Sequence, residues 1–181
     1  MNEFEIGILN FIQETFSCKF LDYFFIAITS LSNKGILWIV LAVVLLCFKK
    51  TRKTGICLGV ALILGEIFGN IILKNIFSRP RPYTVNAEAN VIIEKLSSYS
   101  FPSGHTRCAV ESAVAIFANN KKWGTVAIVI AVLTAFSRMY LYMHYPTDVL
   151  AGAALGVIDG LLAVFIVKKL GEYNTKRKLG N

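Results

Sequence analysis

Histidine is nearly missing from this chain: its 181 residues hold two, His105 and His144. Acid is scarce too, with 11 Asp and Glu against 19 Lys and Arg and a net charge of +8. The four cysteines, Cys18, Cys47, Cys57 and Cys108, show no close pairing. They read as unpaired small apolar side chains, not as a disulfide framework or a thiolate metal site. The start, Met1-Asn2-Glu3-Phe4-Glu5, lacks the basic stretch and the cleavage site of a signal peptide. The excess of Lys and Arg comes without interleaved stacking aromatics or a basic helix, so no nucleic-acid partner is expected.

What the chain does have is apolar length. It is 55% hydrophobic before glycine is counted, already above the ~45–50% that soluble domains reach with glycine included. Mean hydropathy is +0.60, the value of an integral membrane protein. The length suits a single domain over residues 1–181. Phe4–Phe16 mixes apolar residues with Glu5, Gln13 and Glu14, the pattern of an amphipathic interfacial helix. Six apolar runs follow: Phe20–Leu31, Gly35–Phe48, Gly55–Leu73, the segment from Gly104 to about Ala118, Trp123–Tyr140 and Thr147–Val167. The first is a weak span, because it is short and carries Asp22. Several others fall below the ~20 residues of a spanning helix, and polar helix ends supply the missing turns. The expected fold is therefore all-α, a six-helix membrane bundle with an N-terminal amphipathic helix.

Charge orients this bundle. With six spans, Lys49–Lys53, Lys121–Lys122 and the tail Lys168–Asn181 share one side, with eleven of the 19 basic residues. By the positive-inside rule that side is cytoplasmic, the C-terminus included. The opposite, extracytoplasmic side receives three polar stretches: Lys74–Pro82, Pro102–His105 and Ser137–Asp148. Each alone could merely cap a helix. Their convergence on one face points to a site.

The chemistry of that site can be read from residue types. Pro146 suits the first position of a helix, which makes Tyr145 the cap and Asp148 the third helical residue. From there Asp148 can reach back to His144, fix its tautomer and leave the other ring nitrogen free to attack. Lys74, Arg81 and Arg138 are three cations at helix ends, suited to phosphate oxygens. Ser103 can cap the next helix, and the free N–H groups of its first turn form an anion site that Gly104 lets a ligand approach. His105 stands in the same turn. This is the equipment for phosphoryl transfer through a covalent histidine: His144 attacks, the cations and amides hold the oxygens, and His105 protonates the leaving oxygen. Two histidines and one aspartate could instead bind zinc, but cations crowd the same stretches, so neither metal nor cofactor is expected.

Lys74-x6-Arg81-Pro82, Pro102-Ser103-Gly104-His105 and Ser137-Arg138-x5-His144-x3-Asp148 together resemble the three-part motif of the type 2 phosphatidic acid phosphatase (PAP2) superfamily. The resemblance implies a six-helix membrane fold and metal-independent hydrolysis of lipid phosphates. It implies His144 as nucleophile, Asp148 as its partner and His105 as acid. It implies phosphate binding by Lys74, Arg81, Ser103, Gly104 and Arg138. Small bacterial members of this kind act on undecaprenyl diphosphate or phosphatidylglycerophosphate. The expected partner is thus a lipid phosphate in the bilayer of the cell (inner) membrane, undecaprenyl diphosphate first, with phosphatidylglycerophosphate or phosphatidate as the alternative. A non-enzymatic lipid transporter that kept the anion site is the rival from another class.

Other polar residues have plainer readings. Arg79 reads as a solvated or headgroup-facing charge, and Arg107 sits on another helix face from His105. Glu66, Asn70 and Lys74 share a helical stripe and form a network supporting Lys74. Glu111 and Asp159 are interior groups without a catalytic role. Gly152, Gly156 and Gly160 serve close helix packing. Phe101, Tyr83, Tyr140, Tyr142 and Tyr145 are expected as interfacial anchors.

Overall fold

The computed structural model describes residues 2–86 and 89–179. Glu88, which falls in the long polar loop that the sequence predicts over Tyr83–Phe101, and the last two residues of the tail, Gly180 and Asn181, lie outside them. The described chain is helical: α1 Asn2–Phe16, α2 Lys19–Leu31, α3 Ile36–Cys47 and α4 Arg52–Gly65. A π-helical stretch, Glu66–Leu73, carries α4 on into the short α5, Lys74–Phe77. The turn α6, Pro82–Val85, opens the polar loop. Then come α7 Gly104–Asn119, α8 Lys121–Tyr140 and α9 Pro146–Leu179, which takes up most of the basic tail. By length and composition Arg52–Val85, Lys121–Tyr140 and Pro146–Tyr173 can each cross a membrane, while Ile36–Cys47 is apolar but shorter.

α7 is the central post. Its residues Thr106, Arg107, Ala109, Glu111, Ser112, Ala113, Ala115 and Ile116 are buried. Small side chains allow this: the core around it is largely alanine, including Ala42, Ala61, Ala127, Ala131 and Ala163. Among apolar lipid tails, close backbone approach replaces hydrophobic drive as the source of helix association. On α9 the glycine stripe is packed as the sequence predicts. A Cβ at Gly152 would stand 2.6 Å from Ser103 O, and one at Gly156 2.7 Å from Arg107 O. The same contacts show that α7 and α9 run parallel with their first turns side by side. α4 runs the other way: Gly65 faces Glu111, Gly69 faces Arg107, and Lys74 reaches Gly104.

α2 departs from the expected span. Its start is tied to the end of α8 by Tyr140 Oη donating to Asp22 at 2.6 Å. Its far end is tied there too, with Ser32 Oγ 3.3 Å from Thr134 Oγ1. Between those two points α8 rises only about 9 Å, against the ~30 Å of a bilayer core. α2 therefore enters obliquely and stays at one end of the bundle. The descent is completed by α3, whose preceding residue Gly35 adopts a left-handed φ of 68° and packs on Cys108, one turn into α7.

α1 lies at that same end. Its buried face carries Leu9 and Ile12 together with Glu5, while Phe4, Phe11 and Phe16 point outward. Tyr83, Tyr140, Tyr142 and Tyr145 are buried beneath α1 and α2 in a second core with Leu9, Ile12 and Phe25. These tyrosines are thus not the exposed anchors the sequence predicts. Their rings fill the space under α1, and three of the hydroxyls find acceptors inside, Tyr83 on Leu96 O, Tyr140 on Asp22 and Tyr142 on Asn10.

Candidate active site

Chain reversal after α8 sets the site. Leu141 ends the helix, and Tyr142 takes φ 59°, a left-handed conformation that costs a bulky residue about 1–3 kcal/mol. The surroundings hold it there: its ring is fully buried, and its hydroxyl donates to Asn10 at 2.6 Å and accepts from Asn86 at 2.7 Å. The carbonyl of Arg138 then accepts from both Met143 N and His144 N. This tight turn aims His144 inward, where it is 1% exposed.

Pro146 starts α9 as the sequence predicts, and Asp148 is its third residue. Asp148 Oδ2 accepts from Tyr145 N at 3.0 Å, the reach-back of a capping box. It lies 3.6 Å from His144 Nδ1. The gap is bridged by a residue the sequence reading missed. Ser100 Oγ donates to Asp148 Oδ2 at 2.5 Å and stands 3.4 Å from His144 Nδ1. The hydroxyl can accept from the ring N–H while donating to the carboxylate. Nothing local in the sequence marks Ser100. Its place just ahead of Pro102-Ser103-Gly104-His105 is the one available signal.

The other imidazole nitrogen faces cations. Arg81 Nη1 is 3.3 Å from His144 Nε2. A guanidinium can only donate, so Nε2 is the acceptor and the ring proton sits on Nδ1. Burial, followed by the charges of Arg81, Arg138 and Lys74, holds the His144 imidazole well below the ordinary histidine range. The ring is neutral at neutral pH, with an unprotonated nitrogen directed at the cations.

Arg81 and Arg138 are held by uncharged oxygens. Arg81 donates to Ser98 O, Ser98 Oγ, Tyr99 O and Met143 O. Arg138 is 1% exposed and donates to Thr29 Oγ1, and its Nε and Nη2 have no protein partner. Lys74 Nζ lies 3.6 Å from where a Cβ on Gly104 would stand, and Asn70 Oδ1 lies 2.9 Å from it. The space over Gly104 thus admits Lys74 and Asn70 to the first turn of α7. The Asn70 amide donates to Glu66 at 2.6 Å, which links two members of the predicted stripe. Ser103 is the cap residue, but its hydroxyl pairs with Thr106 Oγ1 at 2.9 Å and not with the backbone. The first N–H groups of α7 therefore carry no side-chain cap. His105 stands among them, part-exposed, with Arg138, His144, Lys74 and Arg81 as electrostatic neighbours.

Arg79 is not the solvated charge the sequence predicts. It donates to Asp148 Oδ1 at 2.6 Å and to Glu5 Oε2 at 2.5 Å, over the face of Tyr145. Arg107 is likewise paired, to Asp159 on α9 and, at 3.9 Å, to Glu111. No three His, Cys, Asp or Glu side chains gather as metal ligands among the described residues.

Residues 54–172 match the family model "PAP2 superfamily". An undecaprenyl-diphosphatase of Sulfolobus acidocaldarius is 35% identical over 71% of this chain and 63% of its own length. A Bacillus subtilis undecaprenyl-diphosphatase is 30% identical over 78% of this chain and 72% of its own. The chain thus spans a little under two thirds of the first relative and somewhat more of the second. The crystal structure of Aquifex aeolicus LpxE superposes with a TM-score of 0.78 at 27% identity, covering 87% of this chain and 93% of that one. A family match over most of the chain, a relative 30% identical along more than two thirds of its length, and a shared helical framework agree: the chain belongs to the PAP2 superfamily.

Proposed function

We propose that the protein hydrolyses lipid phosphates through a phosphohistidine, without metal, and that its preferred substrate is undecaprenyl diphosphate. The observation that carries this reading is the orientation of His144. Its Nε2 is unprotonated and faces Arg81, while its Nδ1 is backed by Ser100 and Asp148. Burial and the nearby cations keep His105 neutral until the anionic phosphate offsets their charge and lets it take up a proton. His144 Nε2 attacks phosphorus, and the bond to the leaving oxygen breaks as His105 gives that oxygen the proton. Arg81, Arg138, Lys74 and the uncapped amides after Ser103 hold the phosphoryl oxygens. Water, deprotonated by His105, then cleaves the phosphohistidine. The chemistry needs positive charge around phosphorus, and here side chains supply it.

The outer face suits the site. The basic segments 49–53 and 121–122 and the basic part of α9 lie at the other end of the bundle, so the positive-inside rule assigns the site to the extracytoplasmic side of the cell membrane. Because α1 and α2 stay at the site's end, the N-terminus lies on that side as well, and the C-terminus is cytoplasmic. A headgroup phosphate reaches the helix ends there without its chain leaving the bilayer. The undecaprenyl-diphosphatases among the relatives, and the easy departure of phosphate as leaving group, favour the diphosphate.

The test is a panel of undecaprenyl and farnesyl diphosphate, phosphatidylglycerophosphate and phosphatidate, assayed for phosphate release by purified protein in detergent. The diphosphates should give the highest kcat/KM. A higher value for phosphatidylglycerophosphate overturns the substrate, and no release from any member favours the transporter.

A further inference from the structure

We infer that Glu5 of α1 and Arg79 form a charged pair that positions Asp148 and sets the charge behind His144, so that the N-terminal helix is part of the reaction machinery. The inference rests on the reading that His144 is the nucleophile.

Both residues lie outside the three motif stretches' functional positions, and 74 positions separate them. Glu5 is buried on α1. Its Oε1 accepts from Thr147 N at 3.1 Å and from Thr147 Oγ1 at 2.6 Å. A carboxylate there faces the first turn of α9, where the helix dipole and free amides favour negative charge. Its Oε2 accepts from Arg79 Nη2 at 2.5 Å. The other arm of the same guanidinium, Nη1, reaches Asp148 Oδ1 at 2.6 Å and Thr147 Oγ1 at 2.8 Å. The guanidinium lies over Tyr145, with its carbon 3.9 Å from the ring centroid. A planar group gripped on one face and at both ends has one orientation, which fixes Asp148 Oδ1. Ser100 and Tyr145 N fix Oδ2.

Charge gives the arrangement a chemical consequence. When Nε2 takes the phosphoryl group, the imidazole keeps its proton on Nδ1 and becomes cationic. Asp148 alone would favour that cation. Asp148 neutralised by Arg79 would not. Glu5 restores the balance, since two carboxylates share one guanidinium and one negative charge remains behind the ring. The pair thus favours the state reached on the way to the phosphohistidine, and an interaction of that kind appears in kcat more than in KM. α1 is also laid across the catalytic turn by Asn10 on Tyr142 and Gln13 on Tyr140 O, so Glu5 is held in register.

The test uses the full chain in detergent with farnesyl diphosphate. Glu5→Gln keeps the shape and removes the charge. It should lower kcat roughly tenfold and leave KM within about twofold, with Glu5→Asp recovering part of the loss; a 1 Å misplacement can cost ~100-fold. Arg79→Gln should lose more, because Asp148 Oδ1 loses the group that positions it and the remaining negative charge then acts from a misplaced carboxylate. The double variant should lose no more than Arg79→Gln alone, because Glu5 reaches Asp148 through Arg79. A stable Glu5→Gln protein with wild-type kcat overturns the inference, and so does one whose only change is a lower thermal midpoint. Glu5→Gln alone decides this, even if Arg79→Gln fails to fold. His144→Ala, run alongside, separates the two claims. Activity kept in His144→Ala overturns the proposed function and this pair with it. Activity lost there, with Glu5→Gln unimpaired, overturns the pair alone.

Discussion

Two groups of arginines, buried except for the part-exposed Arg79, divide this molecule. Arg81 and Arg138 are held by carbonyls and hydroxyls, whereas Arg79 and Arg107 are held by carboxylates. An arginine fixed by neutral oxygens is oriented and keeps its full charge for a ligand. One fixed by a carboxylate has already spent its field on that partner. The first kind gathers around His144, and the second ties helices together. What marks an anion site here is therefore positioned cations without counter-charges, not the number of arginines. Arg138 is the clearest instance. Arg107 also has two buried nitrogens, Nη1 and Nη2, without a hydrogen-bond partner, but Asp159 and Glu111 balance its charge. Arg138 has unpartnered Nε and Nη2 and, among the described residues, no carboxylate paired with it.

The contrast can be broken from either side, beginning with His144, the proposed nucleophile. His144→Ala should remove turnover by at least ~10³-fold while leaving expression and folding intact, measured as phosphate release by purified protein. Near-normal turnover would sink the assignment. Next, Arg81→Gln and Arg138→Gln should each cost roughly 10²–10³-fold in kcat/KM, the loss typical of one oxyanion donor. Arg107→Met should stay within about tenfold of wild type in kcat but lower thermal stability, because breaking a buried pair costs about 3–5 kcal/mol. If Arg107→Met proved as inactive as Arg81→Gln, the distinction between the two groups would fail.

Ser100→Ala comes lower, at roughly tenfold in kcat, because the carboxylate can still act on Nδ1 across 3.6 Å without the hydroxyl between them. The smallest expected effect is on pH. Burial and the three cations lower the His144 pKa from 6.5, so the ring stays neutral with Nε2 unprotonated down through pH 6.5, and Nε2 takes a proton only well below it. Loss of kcat/KM through His144 should then appear only on the acid side of that value. Arg81→Gln removes a cation and should move the limb toward higher pH. Comparing the two profiles cancels the titration of the substrate itself, and an unmoved limb would separate Arg81 from the ring. Orientation has its own check: cysteines placed at Glu3 and Glu94 should both react with an impermeant reagent on intact cells, and one at Arg52 should not.

Much of this was legible in the chain. Pro146 at the start of α9 and Gly104 at the start of α7 are local signals, and both helices begin there. The three motif stretches converge, because alternating helices return to the same end. The shallow course of α2 was not legible. A run of 13 apolar-rich residues reads alike whether it crosses a bilayer or leans into it, and only the contacts of Asp22 and Ser32 with α8 decide. Arg79 was misread for a similar reason. Its partner is on the first helix, and no local pattern ties a glutamate to an arginine so far along the chain. Ser103 was read as a cap from its type and place, yet Thr106 supplies a competing partner one turn on. The tyrosines follow the membrane-anchor pattern but are covered by α1, whose docking depends on Glu5, Asn10 and Gln13.

The glycine contacts between α7 and α9 have a mechanical consequence. Ser103 N donates to Asp148 O at 3.0 Å, so the turn that would hold phosphate and the turn that carries the partner of His144 share a backbone bond. Below it, Gly152, Gly156 and Gly160 leave the two helices no room to slide past each other. A bilayer that thickens or thins is accommodated by helix tilt. Here the two helices must tilt as one body, so the distance from His144 Nε2 to the proposed anion cradle is insulated from the thickness of the membrane around it.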